Sequence, residues 1–181
     1  MPKFGLALSG GGFRATLFHL GVVRFLRDAK LLGDVSHIVS VSGGSVLGAH
    51  LGLNWDKYNG SDAEFAEAAS KLVNFVQFDV RNRVVRRIPF IIPLQFLQRL
   101  TFRNKSRRFS QTDLLEQYYA SQLFGDACVN QFPVSPEVHI LTTNISEGRL
   151  CSYTRDGFIM QRRVKWDNEV SVLPARLTRV S

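Results

Sequence analysis

Two turns of unusual composition punctuate the first third of the chain. Ser9-Gly10-Gly11-Gly12-Phe13-Arg14-Ala15 and Ser40-Val41-Ser42-Gly43-Gly44-Ser45 each follow a short apolar run and open a helix-like stretch. Strand, crossover helix and strand form a βαβ unit, so the chain is committed to an α/β fold on parallel strands. Phe4, Leu6, Ala7 and Leu8 make a short apolar run, as a buried parallel strand does. Leu17, Leu20, Val23, Leu26 and Leu31 then recur near helical spacing, and Gly33-Asp34 ends that helix. His37 to Val41 reads as the second strand, and the stretch from Ser42 to about Leu53 as a helix of small and apolar residues.

Further on, residues 54–60 read as a loop, and residues 62–78 as an alanine-rich amphipathic helix. Another helix is expected over 111–123. Residues 138–143 form a strand pattern, with residues 149–154 as its hairpin neighbour. Residues 173–181 look poised to begin a helix.

The chain has 181 residues, enough for one domain with a full core. Hydrophobic residues are 45% and charged residues 21%, an ordinary globular balance. No run reaches the roughly 18 apolar residues of a membrane span. Met1 to Phe4 enters a strand pattern at once, so no signal peptide is expected. Two cysteines, Cys128 and Cys151, make no disulfide framework. A cytoplasmic protein, peripheral to membrane at most, is the expectation.

The glycine turn and the serine turn together supply two parts of acyl-transfer chemistry. A serine hydroxyl needs a base and a site for the carbonyl oxygen's developing charge. On a sharp strand-to-helix elbow, Ser42 would be strained and exposed. The residues two before and two after must be small, which Ser40 and Gly44 satisfy. The helix that follows turns its positive end toward Ser42. Gly10, Gly11 and Gly12 can bring backbone N–H groups close to a substrate oxygen, as an oxyanion hole does. Arg14 could support that loop or hold an anionic headgroup.

A rival pattern exists. Gly10-x-Gly12-x-x-Ala15 formally fits the dinucleotide fingerprint, but that reading wants an acid at the end of the second strand, where Ser40-Val41-Ser42 stands. His19 and His50 fall on expected helices, and His37 and His139 on strands. They read as packing or polar core residues and share no metal-ligand spacing with Cys128 or Cys151. Neither a metal nor another cofactor is expected.

With these residues in view, Gly10-Gly11-Gly12-Phe13-Arg14-Ala15 and Val41-Ser42-Gly43-Gly44-Ser45 resemble the patatin-like phospholipases. The first motif is also similar to that of the cytosolic phospholipase A2 catalytic domain. Val138 to Asn144, followed by Glu147-Gly148-Arg149, looks like a later core strand and turn of the family. The resemblance implies a three-layer α/β/α fold with a mostly parallel central sheet, incomplete at the C-terminus. Residues 1–181 would be the N-terminal part of a single hydrolase domain. It also implies a serine lipid acyl hydrolase with a Ser-Asp dyad and an acyl-enzyme on Ser42. Gly10, Gly11 and Gly12 would form the oxyanion hole, and Arg14 occupies the motif's basic position. The family's aspartate lies in a D-G-G or D-G-A triplet, which this sequence lacks, so it is expected beyond Ser181. Asp156-Gly157-Phe158 is the nearest text. Phospholipid or another acyl-ester lipid is the implied partner, and a non-catalytic lipid-surface module is the alternative.

The net charge of +8 is concentrated in residues 81–109. Arg81, Arg83, Arg86, Arg87, Arg99, Arg103, Lys105, Arg107 and Arg108 lie there with no Asp or Glu. Cations interleaved with Phe, Ile, Leu and Val suit an insertion that meets an anionic bilayer. A solvated insertion loop is the plainer alternative. Nucleic acid is not expected, because no recognition motif accompanies the charge.

Overall fold

A computed structural model describes residues 3–77, 111–163 and 170–175. The basic stretch 81–109, expected as an insertion, lies outside them. The chain divides into two compact units, residues 1–69 with 127–181, and residues 70–126.

The first unit holds the sheet. β1 (Phe4–Leu8), β2 (Val35–Val41) and β3 (Glu137–Asn144) pair in parallel, with Leu6 opposite Ile38 and Ile38 opposite Val138. β4 (Arg149–Thr154), β5 (Gly157–Arg163) and β6 (Val170–Ala175) continue the sheet antiparallel. Among the described residues the order is β1-β2-β3-β4-β5-β6. This is the α/β class expected, and the strands beside the two turns are the parallel ones. The last strand departs from the sequence reading. Ala175 still belongs to β6, and Pro174 pairs with Ile159 there. Proline is tolerated because, among the described strands, β6 lies at an edge.

α1 (Gly12–Asp28) and α2 (Gly43–Leu53) follow β1 and β2. Leu8, Ile38 and Val138 of the sheet are buried, as are Leu20 and Val23 of α1 and Leu47 and Leu51 of α2. Each such side chain contributes about 1.5–3 kcal/mol of burial energy. α2 approaches the sheet along a stripe of glycines. A β-carbon on Gly48 would lie 2.6 Å from Ser40 Oγ, and one on Gly52 would lie 3.1 Å from Phe132 and from Val138. The opposite face of the parallel strands carries Ala7, His37, Val41 and Glu137, all exposed among the described residues.

Residues 55–59 were expected in a loop and instead form a short helix, α3 (Trp55–Asn59). Its anchor is Tyr58, fully buried, with the phenol 3.0 Å from His50 Nδ1. Burial pushes the Tyr58 hydroxyl far above its ordinary pKa. α4 (Asp62–Gln77) opens on a reciprocal cap. The Ser61 N–H donates to Glu64 at 2.8 Å, and the Glu64 N–H donates to Ser61 Oγ at 3.3 Å. Arg27 of α1 donates to Asp62 at 2.6 Å.

In the second unit, Leu72 and Phe75 of α4 are buried, and the Phe75 ring lies 5.0 Å from that of Tyr119. Tyr119 ends α5 (Gln111–Tyr119), and the chain runs on through a wider π turn at Ala120–Phe124. The helix expected to reach residue 123 therefore changes winding at Tyr119. Among the described residues no helix is long and apolar enough to cross a membrane.

Candidate active site

β2 ends at Val41, and the next residue carries the local strain. Ser42 has φ 54° and ψ −121°, in the positive-φ region that L-residues avoid. It stands at the head of α2 with its side chain exposed. Among the described residues no group hydrogen-bonds its hydroxyl. Gly43 and Gly44 behind it are buried. A β-carbon on Gly43 would collide with the backbone of Gly12, 2.7 Å from its carbonyl carbon and 2.8 Å from its nitrogen. One on Gly44 would lie 2.7 Å from Ser9 O. Only glycine at both positions lets the second turn seat on the first.

That contact sets the relation between Ser42 and the glycine turn. A β-carbon on Gly10 would lie 3.3 Å from Ser42 Cβ and 3.8 Å from Ser42 Oγ. The bare backbone of Gly10 therefore borders the hydroxyl directly. Gly11 and Gly12 have φ 139° and 65°, conformations that glycine adopts without penalty. Gly12 opens α1, whose first amides have no partner within the helix. Arg14 is exposed in the first turn of α1 and forms no ion pair with a described residue.

Two supports are not apparent in the sequence motifs. Thr16 is fully buried and donates from Oγ1 to Gly43 O at 2.7 Å, fastening α1 to the elbow. Ser9 Oγ lies 3.1 Å from His19 Nε2. The sequence signal for Thr16 is a small hydroxyl one turn past Gly12. Nothing local singles out Ser9 and His19, which are ten residues apart across a turn. Ser40, standing where glycine is usual, fits because it is buried and its hydroxyl donates to His139 O at 3.2 Å.

The remaining candidates fall elsewhere. Asp156 is exposed in the turn between β4 and β5. Tyr153 pairs with Ile140, and Ser40 pairs with Ile140 on the other side. That register puts the β4–β5 turn toward the N-terminal ends of β2 and β3, away from Ser42. His37 and His139 sit at those same ends, their Nε2 atoms 3.6 and 3.2 Å from the Glu137 carboxylate. Among the described residues, no group of His, Cys, Asp and Glu is disposed to hold a metal ion. An open cleft of about 500 Å³ is lined by Arg27, Asp28, Lys30, Leu32 and Asn59. It lies at the far end of α1 from the glycine turn, roughly 25 Å along the helix.

A strained, exposed serine at a sharp turn between a parallel strand and a helix, seated against a glycine turn, places the chain among α/β proteins with a tight strand-to-helix elbow. Within that class the chain belongs to the patatin-like phospholipase family, whose profile matches residues 6–172. No curated protein matches it in sequence. Among solved structures it is similar to human GIVD cytosolic phospholipase A2 in complex with methyl γ-linolenyl fluorophosphonate. That likeness has 18% identity and a TM-score of 0.54 over 88% of this chain. A second structure of that enzyme, with the inhibitor and terbium chloride, gives 18% and 0.56 over the same share. The likeness is one of fold. The chain spans 24% of the length of those structures.

Proposed function

We propose that this chain carries the nucleophile and the oxyanion loop of a serine lipid acyl hydrolase. One observation carries the reading: Ser42 is held strained and exposed with the bare backbone of Gly10 at its side. Strain of this kind costs about 1–3 kcal/mol and persists where a site needs it. Family membership and the likeness to cytosolic phospholipase A2 point to a lipid ester as substrate, phospholipid foremost.

In this mechanism Ser42 Oγ attacks the ester carbonyl carbon and its proton passes to an aspartate. The tetrahedral oxyanion rests against the N–H groups of Gly10, Gly11 and Gly12. One such donor is worth about 2.7–4 kcal/mol at the transition state. The C–O bond to the alcohol then breaks, and the alcohol leaves with the proton the aspartate returns. Water, deprotonated by the same carboxylate, attacks the acyl-enzyme and regenerates Ser42. Arg14 holds the anionic headgroup. The aspartate is one of the D-G-G or D-G-A kind, a triplet that residues 1–181 do not contain, and the basic residues 81–109 bring the enzyme to an anionic membrane surface from the cytoplasm.

The test is hydrolysis of an acyl ester by a polypeptide extended through that aspartate. Turnover is expected to fall at least about 10³-fold in Ser42→Ala, in line with the loss of a nucleophile. Full activity in Ser42→Ala, or a fluorophosphonate adduct on another residue, would overturn the assignment. Lipid binding without turnover or adduct would instead support the non-catalytic module.

A further inference from the structure

The glycine turn must hold its amides still to serve as an oxyanion site, yet three consecutive glycines have no side chains with which to fix themselves. Glycine also loses more conformational freedom on ordering than any other residue. Its far end is secured, because Gly12 is the first residue of α1 and packs against Gly43. Its near end is Ser9, an exposed residue whose backbone packs at Gly44. Among the described residues, the one side-chain tie there is Ser9 Oγ to His19 Nε2 at 3.1 Å. His19 is buried at 7% exposure on the second turn of α1, with the Phe18 ring edge-on at 5.4 Å. A group fixed in the core by its own helix thus reaches back across the turn to the residue that begins it.

We propose that His19, through Ser9, positions the Gly10–Gly12 turn beside Ser42. This deepens the hydrolase reading and rests on it. His19 touches neither substrate nor nucleophile; it is a positioning residue. The hydrogen bond closes the loop from its first residue to the helix that follows, so the Gly10 backbone is held in place beside the Ser42 side chain. Oxyanion donors act on the transition state more than on bound substrate, and a misplacement of about 1 Å costs up to 10²-fold in rate. Loss of the tie therefore slows the chemical step and leaves binding alone.

Methyl γ-linolenyl fluorophosphonate, the inhibitor bound to the cytosolic phospholipase A2 relative, reads this directly. Ser42 Oγ forms a bond to phosphorus, the P–F bond breaks and fluoride leaves, while the serine proton goes to the base. In a polypeptide that includes the aspartate, Ser9→Ala and His19→Leu are expected to lower the saturating inactivation rate on the order of 10- to 100-fold. The inhibitor concentration for half-maximal rate stays within about twofold of wild type. His19→Gln, which keeps an N–H near the place of Nε2, recovers most of the loss. The double variant is no slower than the slower single one, because both changes remove one interaction. Ser9 is exposed, so Ser9→Ala keeps the wild-type melting temperature even if His19→Leu does not.

Labelling of wild-type Ser42 with an unchanged rate in Ser9→Ala overturns the proposal and leaves the hydrolase reading intact. A slow His19→Leu beside a normal Ser9→Ala does the same, since His19 would then matter to the core alone. Multiplying losses in the double variant, or a shift confined to the half-maximal concentration, also overturn it. Absence of any Ser42 adduct in the wild type defeats the hydrolase reading, and this inference with it.

Discussion

At the residue scale the most informative number is the backbone angle of Ser42. With φ at 54° and ψ at −121°, a β-carbon there is paid for in strain, whatever hangs from it. Alanine keeps that β-carbon and glycine removes it, so the two variants separate the strain from the loss of the hydroxyl. Ser42→Gly is expected to unfold about 1 kcal/mol harder than Ser42→Ala. Chemical denaturation of both variants measures this, and equal midpoints would remove the strain argument. The two tight turns, with positive φ at Gly11, Gly12 and Ser42, were legible because glycine runs and a serine before two glycines report their backbone needs locally. His19 was not. It reads as a core histidine until the fold brings it 3.1 Å from Ser9.

At the element scale, β1, α1, β2 and α2 were legible because buried parallel strands are continuous apolar runs and glycines mark their ends. α3 was missed because residues 54–60 contain asparagine, aspartate and glycine, the usual residues of turns; the burial of Tyr58 overrides them. β6 was missed because Pro174 argues against a strand until an edge position is known. The glycine stripe of α2 yields a prediction. A β-carbon on Gly48 would meet Ser40 Oγ at 2.6 Å and Ser40 Cβ at 2.8 Å, so Gly48→Ala should destabilise by about 1–3 kcal/mol. Thermal unfolding checks it, and a neutral result would mean α2 can lift from the sheet. The start of α4 gives a pH dependence. The hydrogen bond from Arg27 holds Asp62 below the usual carboxylate range, and the Ser61 amide does the same for Glu64. Both pKa values are lower folded than unfolded, so the unfolded chain takes up more protons as pH falls past about 4. Their stabilisation is present above that pH and lost below it. In melting curves over that range, Asp62→Asn with Glu64→Gln should flatten the acid side.

For the whole molecule, charge is arranged by segment rather than spread. Cations held within one Pro-containing apolar stretch should bind anionic vesicles by about 1 kcal/mol for each charge that reaches the surface. Replacing Arg86, Arg87, Arg107 and Arg108 with glutamine should therefore weaken co-sedimentation with anionic vesicles and leave the weak binding to neutral ones unchanged. Equal binding of the parent chain to both would remove the electrostatic explanation. The seating of Gly43 on Gly12, and of Gly44 on Ser9, has a kinetic corollary. Backbone meets backbone there with no side chain between to yield, so neither turn can fray while its neighbour stays folded. The serine turn and the glycine turn must open together, and their amides should exchange with solvent on one shared clock.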